Sequence, residues 1–257
     1  MTPYPLLEGG SGSFLRVEHR KHFGFGEIKT HASIGYTRNQ DRKKFDRDKN
    51  KKQIMGHLFS EGVFTIDDLW KLKYKLKKMD SQTYLKRYVF LDDPQNPITT
   101  ATTLDSSFHL ERFKGNSYGD ISGYWFQDLR ETEPRKQTPA ILPSLYYQYV
   151  SDPGESGEVW QVTVADIFLT RPEGAPGRMV NNTYLPAKVR ELNRFVIEGQ
   201  FYVPYITPDG SLWSLTTRLN GRLYSFYGFR PMMTSANHKG SEGDLFPQLT
   251  LNWRKPY

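Results

Sequence analysis

The chain has 257 residues, 37% of them hydrophobic and 25% charged, with a formal net charge of +7 and no cysteine. This is too polar for a bundle of spanning helices, no segment offers the roughly 20 consecutive apolar residues one such helix needs, and disulfide frameworks and thiolate metal sites are excluded. Strands remain possible membrane crossers, because a barrel strand spans with about 9 to 11 residues and only every second one meets lipid.

The opening Met1-Thr2-Pro3-Tyr4-Pro5 has no basic start, apolar stretch or small-residue cleavage site, so it is not a secretory signal. Gly9 to Ser13 reads as a flexible lead into a first strand that begins at Ser13 and turns near Arg20 to Gly24. In Glu27 to Tyr36, Ile28, Ala32, Ile34 and Tyr36 share one face while Glu27, Lys29, His31 and Ser33 share the other, which is the period of a strand. A long connection follows, Asn39 to Lys51, within a mixed-charge run that reads as a solvated loop. The clearest hairpin comes next. Leu58, Phe64 and Ile66 share a face, Asp67-Asp68 turns, and Trp70, Leu72, Tyr74 and Leu76 alternate with Lys71, Lys73, Lys75 and Lys77. A helix would scatter those lysines, whereas a strand gathers them into one cationic row.

Beyond the long connection Lys78 to Thr103, strands are expected at Leu104 to Phe113 and Gly119 to Leu129, with a short turn at Lys114 to Tyr118. Arg130 to Pro139 is long. Ala140 to Val150 and Glu158 to Leu169 then flank the short turn Ser151 to Gly157. After the long Thr170 to Asn193 come Arg194 to Pro204, the short turn Tyr205 to Ser211 and Leu212 to Ser225. Phe226 to Gly243 is long again, and Asp244 to Arg254 closes the series. Glu158 to Leu169 is apolar on both faces, whereas Phe195, Ile197, Phe201 and Val203 alternate cleanly with Arg194, Glu198 and Tyr202. Pro143, Pro204 and Pro247 are expected near strand ends, where a missing amide donor does least harm.

About eleven strands joined by strictly alternating short and long connections predict an all-β fold, an antiparallel up-and-down transmembrane β-barrel wall. Sixteen Tyr, 16 Phe and 5 Trp suit the aromatic girdles of such a wall. No Pro/Gly/Ser linker divides the chain, so residues 1–257 are expected to form one domain. An incomplete wall of this kind would leave two edges whose backbone groups hydrocarbon cannot satisfy.

The chemistry-bearing residues are sparse. His19, His22, His31, His57, His109 and His238 are scattered and have no thiolate to complete a zinc set, so no metal, cofactor or catalytic residue is assigned. Gly9 to Ser13 lacks the Lys-Ser/Thr of a phosphate-binding loop; Asp67-Asp68 and Asp92-Asp93 read as turns. Asn181-Asn182-Thr183 matches a short glycosylation acceptor that matters only in a glycosylating host. The lysine row is most simply a solvated strand face. Functionally it would attract phosphate groups moving along the wall. Lys86-Arg87-Tyr88 has the basic and aromatic mix of a single-stranded nucleic-acid platform, but the hairpin series far exceeds the five strands such a barrel needs, and no nucleic-acid partner is assigned.

Gly56-His57-Leu58-Phe59-Ser60-Glu61-Gly62 leading into Ile66-Asp67-Asp68 and Trp70 resembles an early hairpin of the LPS-assembly protein family LptD. The likeness continues through Thr83 to Tyr88, Tyr124 to Arg130, Leu142 to Tyr147, Pro204 to Pro208, Phe246 to Leu249 and Trp253 to Pro256. Their order and spacing carry the resemblance. It implies an outer-membrane translocon that inserts lipopolysaccharide into the outer leaflet, with an LptE-type plug lipoprotein in the lumen of a twenty-six-strand barrel. It also implies an LptA-type periplasmic bridge, contacted mainly through a jelly-roll domain that has no counterpart in this sequence. The chain is therefore expected to be a portion of the barrel in the cell outer membrane, surrounded by its lipids.

Strand alternation selects Lys71, Lys73, Lys75, Lys77, His57 and Glu61 as lumen-facing ligand contacts. The alternatives are a general outer-membrane porin and a soluble all-β carbohydrate-binding protein with an aromatic platform around Tyr146, Tyr147 and Tyr149.

Overall fold

The computed structural model describes residues 2–4, 12–37, 54–80, 102–129, 138–172, 178–180, 183–185, 189–229 and 238–255. The connections around Asn39 to Lys51 and Arg130 to Pro139 lie wholly or mostly outside these residues, as do Lys86-Arg87-Tyr88 and Asp92-Asp93.

The strands are β1 (Thr2–Tyr4), β2 (Gly12–Phe23), β3 (Gly26–Thr37), β4 (Ile54–Thr65), β5 (Trp70–Met79), β6 (Thr103–Lys114) and β7 (Ser117–Asp128). They continue with β8 (Ala140–Val150), β9 (Val159–Thr170), β10 (Arg178–Val180), β11 (Thr183–Leu185), β12 (Glu191–Ile206), β13 (Leu212–Phe229) and β14 (His238–Arg254). Twelve of them form one sheet in the order β1-β2-β3-β4-β5-β6-β7-β8-β9-β12-β13-β14, and β10 pairs only with β11. The eleven long strands run antiparallel and up-and-down, as the alternating pattern predicts.

Several expectations need correction. The first hairpin turns at Gly24-Phe25, beyond the expected start at Arg20, because the polar run continues β2: on one face Arg20 pairs with Glu18 at 2.6 Å and the His22 ring meets Glu27 across the hairpin at 3.2 Å. Pro247 lies well inside β14, which begins at His238, whereas Pro143, at a register shift near the start of β8, and Pro204, near the end of β12, lie close to strand ends as expected. The alternation of loop lengths itself holds, each short connection being shorter than the long ones beside it, although the short gap after β8 and the long gap after β13 are equal at eight residues, 151–158 and 230–237. The β10–β11 hairpin inside the connection after β9, and the short β1, carry too few residues for periodicity to show.

The chain divides into two compact units, residues 1–109 with 124–138, and residues 110–123 with 139–257. In the first, register assigns the faces. Arg20, Lys29, Glu61 and Lys75 lie directly opposite one another in a row across β2 to β5, flanked by the rows His22, Glu27, Val63, Lys73 and Glu18, His31, Phe59, Lys77. The opposite face carries the rows Val17, Ala32, Leu58, Lys78 and Lys21, Ile28, Gly62, Tyr74, the two lysines lying near strand ends. Polar groups there satisfy one another: Thr30 and Ser60 hydroxyls are 2.9 Å apart, and Ser60 is 3.0 Å from the Tyr74 hydroxyl. Lys77 donates its amide to Ser106 Oγ (2.8 Å), which donates back to its carbonyl (3.2 Å); Gln127 serves Met79 likewise, at 3.0 and 2.6 Å.

In the second unit, Phe195, Ile197, Phe201 and Val203 align with Leu223, Gly221, Thr217 and Leu215 on one face, and these with Gly243, Leu245, Leu249 and Leu251 of β14. Arg194, Glu198 and Gln200 point to the other side, opposite Tyr224, Asn220 and Arg218. Both units place aromatic clusters at their short-turn ends. Phe23, Phe25 and Phe64 have ring centroids 5.4 to 6.2 Å apart, and Trp213 lies 6.1 Å from Trp253 with Tyr205 opposite it.

The short turns are built from local chemistry. Gly115, at φ 53°, occupies the left-handed position a two-residue hairpin loop requires. Thr207 and Ser211 hydrogen-bond Asp209 and hold its carboxyl below the usual carboxylate range. Asp67 accepts the backbone N–H groups of Leu69 (2.8 Å) and Trp70 (2.7 Å). Asp67→Ala removes both acceptors and is expected to destabilise the β4–β5 hairpin by about 1 kcal/mol, measured by urea titration of the refolded protein in vesicles. No change in midpoint would mean that water replaces the carboxylate without cost.

Candidate functional site

The six residues selected by alternation fall on one face of the first unit. Lys71, Lys73, Lys75 and Lys77 alternate along β5; Glu61 stands opposite Lys75, and His57 opposite Met79. Their surroundings differ. Glu61, Lys73 and Lys75 line an open groove of about 430 Å³ together with Arg20, Lys29 and His109. Lys77 flanks it through Asp105, which accepts from Lys75 at 2.6 Å and lies 3.9 Å from Lys77. Lys71 is exposed at the short-turn end. His57 is set apart, 4% exposed, with Nδ1 2.6 Å from Ser33 Oγ and its ring 4.7 Å from that of Phe59, beside the buried Met55 and Met79. Alternation predicts its face and gives no hint of its burial.

The groove is cationic but counterbalanced. Lys29 meets Glu61 at 3.5 Å, and Lys75 meets Asp105. Same-face lysines on a strand recur about every 6.6 Å, a spacing at which several phosphoryl groups of one ligand can be met in turn. An ammonium of Lys29 or Lys75 that leaves its carboxylate for another anion has a partner to return to, an arrangement that favours reversible exchange over tight capture. Among the described residues no cluster of three or more His, Asp or Glu could hold a metal ion.

The second unit carries a polar network that sequence reading does not single out. Arg218 donates to Gln200 (2.9 Å) and ion-pairs Glu198 (3.4 Å); Glu198 accepts from Asn220 (2.9 Å), whose carbonyl accepts from Arg222 Nε (2.9 Å). Arg222 also lies over the Phe246 ring at 5.1 Å, and Arg194 over Tyr224 at 5.8 Å. Its residues are two to four positions apart on two strands. Their union depends on the register Glu198 to Asn220, which no pattern within one strand reveals.

The model of the family LPS transport system D matches residues 53–256, from just before β4 to the end of the sheet. No curated protein matches the chain.

Proposed function

This chain belongs to the LptD family of LPS transport, and from that premise we propose that residues 1–257 form part of the family's barrel domain, with the lysine face of β5 turned to a water-filled lumen. The family transports and assembles LPS in the outer membrane; its members are outer-membrane transport proteins. On this reading Lys71, Lys73, Lys75, Lys77 and Glu61 meet the phosphorylated saccharide of LPS on its way outward, and buried His57 braces the same face. An LptE-type lipoprotein plugs the lumen, and an LptA-type bridge delivers LPS from the periplasm.

The observation that carries the reading is the pairing of faces. Arg20, Lys29, Glu61 and Lys75 make a continuous charged row across four strands, while the reverse side presents Ala32, Leu58 and Ile28 with aromatics gathered at the short-turn end. Outer-membrane barrels keep polar residues inside, apolar residues outside and aromatic girdles at the interfaces. Nitroxide labels placed singly along Trp70 to Lys77 in the full-length protein, reconstituted in bilayers, are expected to alternate. Odd positions should be accessible to a water-soluble relaxant and even ones to oxygen in lipid. Uniform water accessibility would overturn the assignment.

A further inference from the structure

We propose that the lipid-facing side of the second unit carries a docking notch for the headgroup of a phosphorylated saccharolipid at the outer-leaflet interface, formed by β12, β13 and β14. The proposal rests on the function proposed above and takes the apolar face of β12 to β14 as the one turned to lipid.

Depth is the first argument. On the apolar face the rows climb from Tyr205, Trp213 and Trp253 to Phe195, Leu223 and Gly243. From Trp213 to Leu223 is ten residues, and a strand rise of about 3.3 Å at a tilt of about 40° gives about 25 Å, the height of a barrel's apolar band. The next rows on the same face change character. Asn193, Ser225 and Ser241 stand directly opposite one another, followed by Glu191, Tyr227 and Lys239. The change comes at the level where acyl chains give way to headgroups.

Shape and chemistry are the second argument. Ser225, Ser241 and Gly243 are small, and with Asn193 and Leu223 they border an open depression of about 340 Å³. A second, about 480 Å³, adjoins it between Phe168, Glu191, Tyr227 and Lys239. A Cβ on Gly243 would come within 2.8 Å of the Leu223 side chain, so leucine already fills the floor of the notch. Asn193 gives one amide hydrogen to Asp166 at 2.9 Å and keeps its carbonyl as an acceptor. Among the described residues, Lys239 makes no ion pair.

Neutral donors and acceptors lie just above an apolar floor, the Asp166 carboxylate is engaged by Asn193, and the rim row carries the Lys239 ammonium beside the Glu191 carboxylate, a layout that fits an amphiphile bearing both hydroxyl or amide donors and a phosphate. Its acyl chains would lie against Leu223 and Phe195, its sugar hydroxyls and acyl amides would bond Asn193, Ser225 and Ser241, and a phosphate would reach Lys239. A glycerophospholipid places ester oxygens, with no amide or sugar hydroxyl, next to its acyl chains and so makes fewer hydrogen bonds to Asn193, Ser225 and Ser241 than a saccharolipid. The notch would hold the saccharolipid on the outer wall, in the leaflet the family supplies.

The test uses the full-length protein in its native outer membrane, with a photoreactive benzoylphenylalanine at Ser241 and, separately, at Lys73. Irradiation is expected to give an LPS adduct at Ser241 that falls about fivefold or more when Ser225→Leu fills the notch, the scale of one lost hydrogen bond, while the Lys73 adduct is unchanged. A Ser241 adduct indifferent to Ser225→Leu, or made only with phospholipid, would overturn the notch. Labelling at Lys73 with none at Ser241 overturns the notch and leaves the lumen assignment standing. Absence of adduct at both positions overturns the two together.

Discussion

Neutralising the lysine row by Lys71→Gln, Lys73→Gln, Lys75→Gln and Lys77→Gln together is expected to lower photo-cross-linking of LPS to the lumen face of the full-length protein by at least about tenfold, with folding retained. A basic side chain near an anionic lipid surface contributes about 1 kcal/mol, and tenfold corresponds to about 1.4 kcal/mol, so even incomplete additivity over four residues reaches that threshold. Glutamine preserves strand packing and spares the face the repulsion that glutamate would create with Glu61 and Asp105. The sign can be checked independently. Asp105 binds Lys75 and Lys77 in the resting face, so Asp105→Asn should raise cross-linking of LPS to the lumen face where the lysine variants lower it. Unchanged cross-linking in the quadruple variant would show that the row is only a solvated face. Heat-modifiable mobility on gels separates loss of binding from loss of fold.

A large effect on folding is expected at Gly56. A Cβ there would lie closer than 3.0 Å to the Ser33 backbone carbonyl oxygen, with the Ser33 carbonyl carbon at 3.5 Å and the Ile34 Cα at 3.6 Å. The obstacle is backbone, which cannot swing aside as a side chain can. Gly56 stands opposite Ile34 in the β3–β4 ladder, so even alanine must push the two strands apart or shear their register. In hydrocarbon each backbone group left unpaired costs several kcal/mol, hence Gly56→Ala is expected to abolish the heat-modifiable folded form in the membrane. Gly199 is the control. It too lies within a long strand, but a Cβ there meets nothing within 4 Å, and Gly199→Ala should shift stability by no more than about 1 kcal/mol. Equal behaviour of the two variants would refute the steric account.

How far the sequence carries depends on whether a feature lives within one strand or between strands. The lysine row is contiguous, so period two is enough to gather it on a face, and Ala140 to Val150 is bounded as expected because Pro139 and Ser151 punctuate it. The end of β2 is misread because Arg20, Lys21 and His22 look like a turn until Glu18 and Glu27 are seen to pair with two of them. Pro247 is misplaced for a related reason: Lys239 to Gly243 is small and polar, and reads as loop although it pairs with β13 throughout. The site follows the same division. Lys73, Lys75 and Glu61 share a groove as alternation suggests, while the burial of His57 beside Ser33 and the linkage of Arg218, Glu198, Asn220 and Arg222 depend on partners far away in the chain. The family resemblance rests on motif order from Gly56 to Pro256, and the matched region, 53–256, covers the same span.

The strand order itself bears on how such a wall is made. Each long strand lies beside the one before it in the chain, the sole skip being from β9 past a small hairpin to β12. Every pairing therefore closes a loop of no more than 23 residues, the gap 80–102 between β5 and β6, and because closure entropy grows only with the logarithm of loop length, successive steps differ modestly in cost. Growth can run as a zipper in the order of synthesis, without the distant encounters that slow most all-β proteins. At any instant such a process exposes one advancing front, the strand most recently laid down. The hazard of mispairing is then confined to a few residues at a time, instead of being spread over the whole chain.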